Sequence, residues 1–284
     1  MAVFTVQRKG HATVSTNNLT RDEAAQRAQL LTVTSYDVQL DFTDGSGEKP
    51  GEDTFGSVTT VRFTSREPGR PTYLDLTTRE VRSITLNGGL LDVDEVFDGN
   101  RIQLPGLAAD NEVVVDARCL YMRTGEGVHR FVDPVDGSVY LYTPFETFDA
   151  HRMYACFDQP DLKSVFTFTV RAPRAWFCAS IAPVIEQPAA GERGSWSFAT
   201  SAKISYFISP MIACPYAPGR PPPAGTPPRT DGPAPVARPT RPRHLPPGPP
   251  RGGGGGPAPL PPPAEPRGVG MGRIGVGAGP RGPR

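Results

Sequence analysis

Long apolar runs are missing from this sequence. Residues 1–18 contain no apolar stretch of the length that a secretory signal requires. Nowhere does an apolar run approach the roughly 20 residues of a membrane-spanning helix. These absences predict a protein without membrane contact, and we expect it to reside in the cytoplasm.

Cysteine is also scarce. The chain has four cysteines, and they are widely spaced: Cys119, Cys156, Cys178 and Cys214. None of them belongs to a close pair of the kind that binds zinc or exchanges disulfides. The spacing therefore gives no local metal or redox motif and predicts reduced thiols, as is usual in cytoplasmic proteins.

Excess positive charge is missing from residues 1–216. The whole chain has a net charge of +1, but residues 217–284 carry ten Arg against Asp231 and Glu265. Residues 1–216 therefore carry about −7. Proteins that bind nucleic acid present basic surface, so no nucleic-acid partner is predicted. This part of the chain also lacks a glycine-rich phosphate-binding loop.

The composition changes abruptly near Tyr216. Residues 217–284 contain 22 Pro, 16 Gly, 10 Arg and 7 Ala, with no aromatic residue, no Lys and no Cys. Such a segment has too little apolar surface to offset the entropy of ordering it, so we expect a disordered tail. All four amino acids have GC-rich codons, so the tail has the composition of a GC-rich gene translated out of frame. We divide the chain into a flexible N-terminus (1–18), a folded domain (19–216) and this tail (217–284).

One helix is predicted, close to the start of the folded domain. Thr20 and Glu23 have the spacing of a capping box, and Asp22 adds negative charge that suits a helix N-terminus. Residues 21–31 contain no Gly or Pro and are rich in Ala, Gln, Arg and Leu. A helix over Arg21–Leu31 is therefore expected.

The remainder of the folded domain has the pattern of short strands. Residues 35–42 alternate apolar and polar side chains, and similar runs recur every 8–15 residues with Gly, Pro and Asp between them. The fold class predicted is all-β, a large antiparallel sandwich. The predicted strands are Ser35–Phe42, Ser57–Thr64, Thr72–Leu76, Ser83–Leu86, Arg101–Leu104, Glu112–Leu120, Ser138–Tyr142, Val165–Val170, Trp176–Ser180, Ser195–Ala199 and Ile204–Ile208.

The segment Thr143–Lys163, called the signature segment below, concentrates charged and aromatic residues in a connection between strands. Such a loop is a candidate site. From the residues alone, an equally simple hypothesis is that Arg152, Asp158 and Asp161 form ion pairs that hold the loop. A third, a self-sufficient hydrolase using Glu146, His151 and Asp158, has neither a metal set nor a nucleophile with an ordered base.

The signature segment, TPFETFDAHRMYACFDQPDLK, resembles the signature of the N-terminal domain of the aminopeptidase N family, which runs roughly TQFE-x-x-DARR-x-FPCFD-[EQ]-P-x-[LF]-K. The resemblance extends over about Leu19–Tyr216. Pro144 replaces the usual Gln, and His151 replaces the first Arg. The matching positions are Phe145, Glu146, Asp149, Ala150, Arg152, Cys156, Phe157, Asp158, Pro160 and Lys163.

The resemblance implies a large β sandwich that covers the catalytic domain of a zinc-dependent aminopeptidase. It further implies that Glu146 helps hold the α-amino group of a peptide substrate, while Asp149, Arg152 and Asp158 support the loop. A carboxylate suits an ammonium group, which has three donors and a positive charge.

The family's zinc chemistry needs more residues than this chain provides. Its zinc is bound by an HExxH helix and a later Glu, and a GxMEN strand contacts the substrate. None of the four histidines of this chain begins HExxH, and GxMEN is absent. We therefore expect no metal in this chain, no activity of this chain alone, and a missing catalytic domain as its packing partner, lost by truncation or frameshift. The alternative is a stand-alone β-sandwich binding module with a proline-rich interaction tail.

Overall fold

The structure, a computed structural model, describes residues 18–188 and 194–215. This part of the chain begins with a helix and then consists almost entirely of strands. The helices are α1 (Arg21–Leu30) and α2 (Val93–Val96). The strands are β1 (Leu31–Asp41), β2 (Thr54–Ser65), β3 (Thr72–Asp75), β4 (Glu80–Leu86), β5 (Gly89–Leu91), β6 (Arg101–Leu104), β7 (Asp110–Leu120), β8 (His129–Val132), β9 (Val139–Tyr142), β10 (Val165–Arg171), β11 (Phe177–Ser180), β12 (Val184–Glu186), β13 (Ser195–Phe198) and β14 (Met211–Cys214).

Helix α1 has the predicted capping box. The Thr20 hydroxyl accepts a hydrogen bond from the Glu23 amide at 3.2 Å, and the Glu23 carboxylate accepts one from the Thr20 amide at 2.8 Å. The helix ends at Leu30, one residue earlier than predicted, because Leu31 already has extended backbone and begins β1. The short α2, which the sequence did not predict, begins after Asp92, whose side chain accepts from the Asp94 amide.

The largest sheet has eight strands in the order β12-β13-β10-β1-β2-β7-β4-β5. The predicted all-β class is confirmed, and the pairings are antiparallel except for that of β1 with β10, which run parallel. Alternation along β1 buries Tyr36, Val38 and Leu40 on one face of this sheet. Polar residues such as Gln39 lie on the opposite, outward face.

Two smaller sheets complete the fold: a four-stranded one (β11-β14-β9-β8) and a two-stranded one (β3-β6). One continuous buried cluster joins side chains of all three sheets, among them Phe166, Leu141 and Leu74. Within this cluster the Tyr36 and Phe166 rings stack, with their centroids 4.8 Å apart. The signature segment connects β9 of the four-stranded sheet to β10 of the eight-stranded sheet.

One predicted strand, Ile204–Ile208, is wrong. Ile204 forms only an isolated bridge with Ser164, and Tyr206–Ile208 is a turn of 3-10 helix. The chain turns here because the Tyr206 side chain points into the interior, where it is 1% exposed and donates a hydrogen bond to the signature segment. The adjoining strand is β14, which the sequence did not predict as a separate element.

Two further predictions lie outside the described residues. They are the flexible N-terminus, of which only residue 18 is described, and the disordered tail over 217–284. Among the described residues, no helix has both the length and the apolar character needed to cross a membrane.

Candidate functional site

The signature segment is buried over most of its length. Ala150, Met153, Tyr154, Cys156 and Phe157 are each completely covered, with 0% of their surface exposed. The polar exceptions lie near its two ends, where Glu146 and Asp161 are exposed. Much of the sequence pattern therefore encodes packing, and only a few of its charged groups reach the surface.

Asp158 lies in this buried part, 1% exposed. One of its carboxylate oxygens is 2.5 Å from Nδ1 of His151 and also accepts a hydrogen bond from the His151 amide at 3.2 Å. The His151 ring packs against that of Phe148, with 4.7 Å between centroids. Asp158 thus fixes the backbone and the ring of the same residue, which is a positioning role within the fold.

A buried network of hydrogen bonds and an ion pair connects His151 and Asp158 to helix α1. The Asp158 amide donates to the carboxylate of Asp75 at 3.0 Å, and Asp75 forms an ion pair with Arg27 of α1, also at 3.0 Å. Arg27 donates to the side chain of Gln159 at 2.9 Å. Burial raises the pKa of Asp75, an effect that the charge of Arg27 opposes. Helix α1 is therefore held to the signature segment by hydrogen bonds between buried groups.

Arg152 and Asp149 form an ion pair within the segment that is only partly buried. The Nε atom of Arg152 is 2.9 Å from Asp149, and a second nitrogen is 3.3 Å from Glu126. The side chain of Arg152 packs on Gly127, where an added Cβ atom would lie 2.7 Å from Cβ of Arg152. The hypothesis that Arg152, Asp158 and Asp161 pair with one another is wrong, because Asp158 is bound to His151 and Asp161 forms no ion pair within the described residues.

Glu146 is exposed, and within the described residues it has no hydrogen bond or ion pair. Its neighbours on both sides are anchored. Phe145 is 2% exposed in the core, and the Thr147 carbonyl accepts a 2.6 Å hydrogen bond from the Tyr206 hydroxyl. Burial raises the pKa of Tyr206, with the Asp158 charge adding to the rise, so this hydroxyl remains a donor. Glu146 is thus a solvent-facing carboxylate on a fixed backbone.

Sequence reasoning did not identify Arg27, Asp75 or Tyr206 as supports of the segment. Arg27 lies in a helix whose sequence has almost no amphipathic pattern, and Asp75 ends a short strand far away in the chain. Each acts through contacts across more than 45 residues of sequence. No local signal marks such residues, because the pairing depends on tertiary structure.

The described residues do not fit a zinc ion. Among them, no three or more His, Cys, Asp or Glu side chains lie together in a way that could hold a metal. The four cysteines are buried, and burial raises the pKa of the Cys119 thiol to about 12. A thiol must lose its proton to bind zinc, so zinc binding by the Cys119 thiol is unfavourable.

Comparison with known proteins relates the chain to one family. The family description Peptidase M1 N-terminal domain matches residues 123–208, which include the whole signature segment. The sequence is 48% identical over 200 residues to Aminopeptidase N of Streptomyces lividans, a match that covers 70% of this chain and 22% of that protein. It is 25% identical over 189 residues to Probable aminopeptidase 1 of Sulfurisphaera tokodaii, covering 63% of this chain and 21% of that one.

Solved structures show the same fold. An M1 zinc metallopeptidase (E323A mutant) from Deinococcus radiodurans superposes with a TM-score of 0.52 at 18% identity. The match covers 65% of this chain and 42% of that one, and the same mutant with a bound Tyr-Ser-Ala substrate gives the same values. The chain spans about a fifth of the length of the curated relatives that it matches.

Proposed function

Because this chain carries an N-terminal domain of the M1 peptidase family, we propose that it is the substrate-capping domain of a zinc-dependent aminopeptidase, which removes N-terminal amino acids from peptides. The observation that carries this proposal is the exposure of Glu146 on a fixed stretch of backbone. Its carboxylate is exposed and unpaired within the described residues, while Phe145 on one side is buried in the core and the Thr147 carbonyl on the other accepts a hydrogen bond from Tyr206.

Glu146 would bind the α-amino group of the substrate. An ammonium group needs acceptors in fixed positions, and a carboxylate supplies a charge-assisted hydrogen bond. The anchoring of Phe145 and Thr147 limits the motion of the backbone at Glu146, so less entropy is lost when the substrate binds. Asp149, Arg152 and Asp158 hold the loop behind it and have no direct part in binding.

The hydrolytic step would belong to a catalytic domain. Neither HExxH nor GxMEN occurs in the 284 residues, and the described residues do not fit zinc. We therefore propose that zinc and the catalytic base are contributed by a separate domain, which corresponds to the part of the longer relatives that this chain does not match. This chain alone would then hydrolyse no aminoacyl substrate.

The four-stranded sheet offers a surface for such a partner. Its outward face, called the apolar sheet face here, carries Phe131, Tyr142, Phe177 and Ile212, each between 38 and 45% exposed. Tyr142 pairs with Ile212 across β9 and β14, and Phe131 pairs with Tyr140 across β8 and β9. Cross-strand partners project to the same side of a sheet, and so do residues two apart on one strand, such as Tyr140 and Tyr142. Phe177 shares this side because it pairs with Cys214, two residues after Ile212 on β14. These side chains therefore form one patch. A patch of this kind is typical of protein contact sites.

We assign the apolar sheet face to contact with the catalytic domain. In a fusion with that domain, Tyr142→Ser combined with Ile212→Thr should lower the thermal midpoint and the activity together, because apolar contact area is lost. Leu90, which is 75% exposed on β5, provides the matched control, and Leu90→Ser should change neither quantity. Equal effects of the two changes would contradict this assignment.

We also propose a cytoplasmic location, which the cysteines Cys119, Cys156 and Cys178 support. These three are buried thiols, as expected in a reducing compartment.

The role of Glu146 can be tested in a chimera. Residues 19–215 would replace the matching segment of the Streptomyces lividans Aminopeptidase N, and an alanyl reporter would be assayed. Glu146→Ala should raise KM about tenfold or more with a smaller change in kcat, because a charge-assisted hydrogen bond contributes about 1.5–3 kcal/mol. Glu146→Gln should have an intermediate effect, because the amide oxygen still accepts.

Asp161→Ala is the matched control, since Asp161 is an exposed carboxylate of the same segment. It should leave KM unchanged. An unchanged KM in Glu146→Ala would refute the role of Glu146. The 284-residue chain, assayed alone with added zinc, should give no turnover above a protein-free blank, and chelator-sensitive turnover would show that it contains a catalytic site.

A further inference from the structure

The outward face of the eight-stranded sheet contains a gap in an ordered row of side chains. Across neighbouring strands, Arg171, Asp41, Gly56 and Arg118 lie opposite one another, on β10, β1, β2 and β7 in turn. In this row only Gly56 has no side chain. The next row, Thr169–Gln39–Val58–Asp116, is complete and mainly polar. The gap at Gly56 is therefore bounded by polar and charged groups on several sides.

Gly56 lines a hollow of about 370 Å³, called the Gly56 hollow below. A methyl group built on Gly56 would meet only Cβ of Asp41, at an ordinary contact distance of 3.4 Å. The space is thus open, and neither a close backbone approach nor an unusual backbone angle requires glycine here. The volume lies in the range of small-molecule sites.

Two of the three arginines that line the Gly56 hollow have carboxylate partners. Arg171 lies 3.4 Å from Asp41, and Arg82 lies 3.7 Å from Asp116. The other oxygen of Asp41 accepts hydrogen bonds from the amide and the hydroxyl of Thr43, at 3.0 and 2.6 Å. Both carboxylates of the hollow are therefore already engaged.

Arg118 is the third arginine, and its charge has no such partner. Its Nε atom is buried and makes no hydrogen bond within the described residues. Glu80 lies directly opposite on β4, yet it forms no ion pair with Arg118 in the described part of the chain. A buried guanidinium N–H without an acceptor is unfavourable, because it has lost its hydration without replacement. Among the arginines that line the hollow, Arg118 is therefore the one without a carboxylate partner in the described residues.

We propose that the Gly56 hollow binds a small molecule through an oxyanion group, a carboxylate or a phosphate, which pairs with Arg118. A planar guanidinium matches both groups because it can form two parallel hydrogen bonds. Gln39 and Thr169 line the same hollow and offer donors and acceptors to further polar groups of the ligand. This site is independent of the proposed peptidase role, since it lies on the outward face of the large sheet and Glu146 does not line it.

The test is isothermal titration calorimetry of the 284-residue chain in low-salt buffer. Inorganic phosphate and citrate are the two probes, so that the phosphate and carboxylate sources are distinguished, and glycerol is the uncharged control. We expect one of the two anions to bind at a single site and glycerol to show no heat of binding. Arg118→Gln should weaken the binding about tenfold or more, as expected for the loss of a charged hydrogen-bonding partner.

Gly56→Val provides a second variant that does not remove charge. Valine favours strands, and the open space accommodates it, so the fold should be retained while the hollow is filled. It should also weaken binding at least tenfold. Arg62→Gln is the matched control, because Arg62 lies on the same face but pairs with Glu112 outside the hollow, and it should change the affinity less than about twofold.

Two results would overturn the proposal. One is the absence of binding of both anions to the wild-type chain. The other is binding that Arg118→Gln and Gly56→Val leave unchanged, which would assign the heat to another basic part of the chain, such as the arginines of residues 217–284.

Discussion

Glu146 and Asp158 are carboxylates of the same signature segment, and their surroundings are opposite. Asp158 is 1% exposed and bonded to His151, whereas Glu146 is exposed and has no partner within the described residues. The family pattern includes both residues and does not distinguish them. Burial does, because a carboxylate that is already covered and bonded cannot receive a ligand. The comparison divides the segment into a part that maintains the fold and a part that is available for binding.

The sharpest test of this division is a pair of alanine variants. Asp158→Ala should lower the free energy of unfolding by about 2–4 kcal/mol, because it leaves buried donors of His151 without an acceptor. Glu146→Ala should change it by less than about 0.5 kcal/mol, since it removes an exposed group. Urea unfolding of both variants at neutral pH measures the difference.

Similar losses in the two variants would break the comparison. A large loss in Glu146→Ala would mean that this carboxylate supports the fold, and its assignment to the substrate would then lack its structural basis. Asp158→Asn is a useful third variant, because it keeps the shape and an acceptor oxygen and should fall between the two.

Glu23 is an intermediate case with a smaller expected effect, since its side chain is 33% exposed. Partial burial would raise its pKa, but the hydrogen bond from Arg101 and those from Thr20 prevail and lower it from 4.5 to about 2. A carboxylate with a lowered pKa stabilises the fold above pH 4.5, and this contribution is lost as the pH falls towards 2.

Glu23→Gln should therefore cost about 1 kcal/mol at pH 7, in the range of a helix cap, and much less near pH 2. Urea unfolding at several pH values measures both effects. The wild type should lose stability faster than the variant between pH 4.5 and 2. Parallel pH profiles for the two proteins would show that Glu23 contributes through shape and not through its charge.

The sequence predicted the elements whose signals are local. The capping box of Thr20 and Glu23 located α1, and apolar alternation located most long strands, including β1, β2, β7 and β10. The signature segment was recognised because its residues are contiguous. Such features depend on a few neighbouring side chains and follow from periodicity and capping chemistry.

Long-range pairings could not be predicted in this way. The contact of Arg27 with Asp75, which holds α1, joins residues 48 positions apart. The strand Ile204–Ile208 was predicted wrongly, because its apolar pattern does not show that Tyr206 bonds to Thr147. The role of Glu146 remains a prediction, which its exposure supports.

The parallel pairing of β1 with β10 has a consequence for synthesis of the chain. Ser35 pairs with Val165, roughly 130 residues later, so one edge of β1 has no partner when it leaves the ribosome. At translation rates of about 5–20 residues per second, this edge stays open for on the order of 10 s. An open strand edge is a template for intermolecular pairing. The nascent domain should therefore be most prone to aggregation, and most dependent on chaperones, between the emergence of β1 and that of β10.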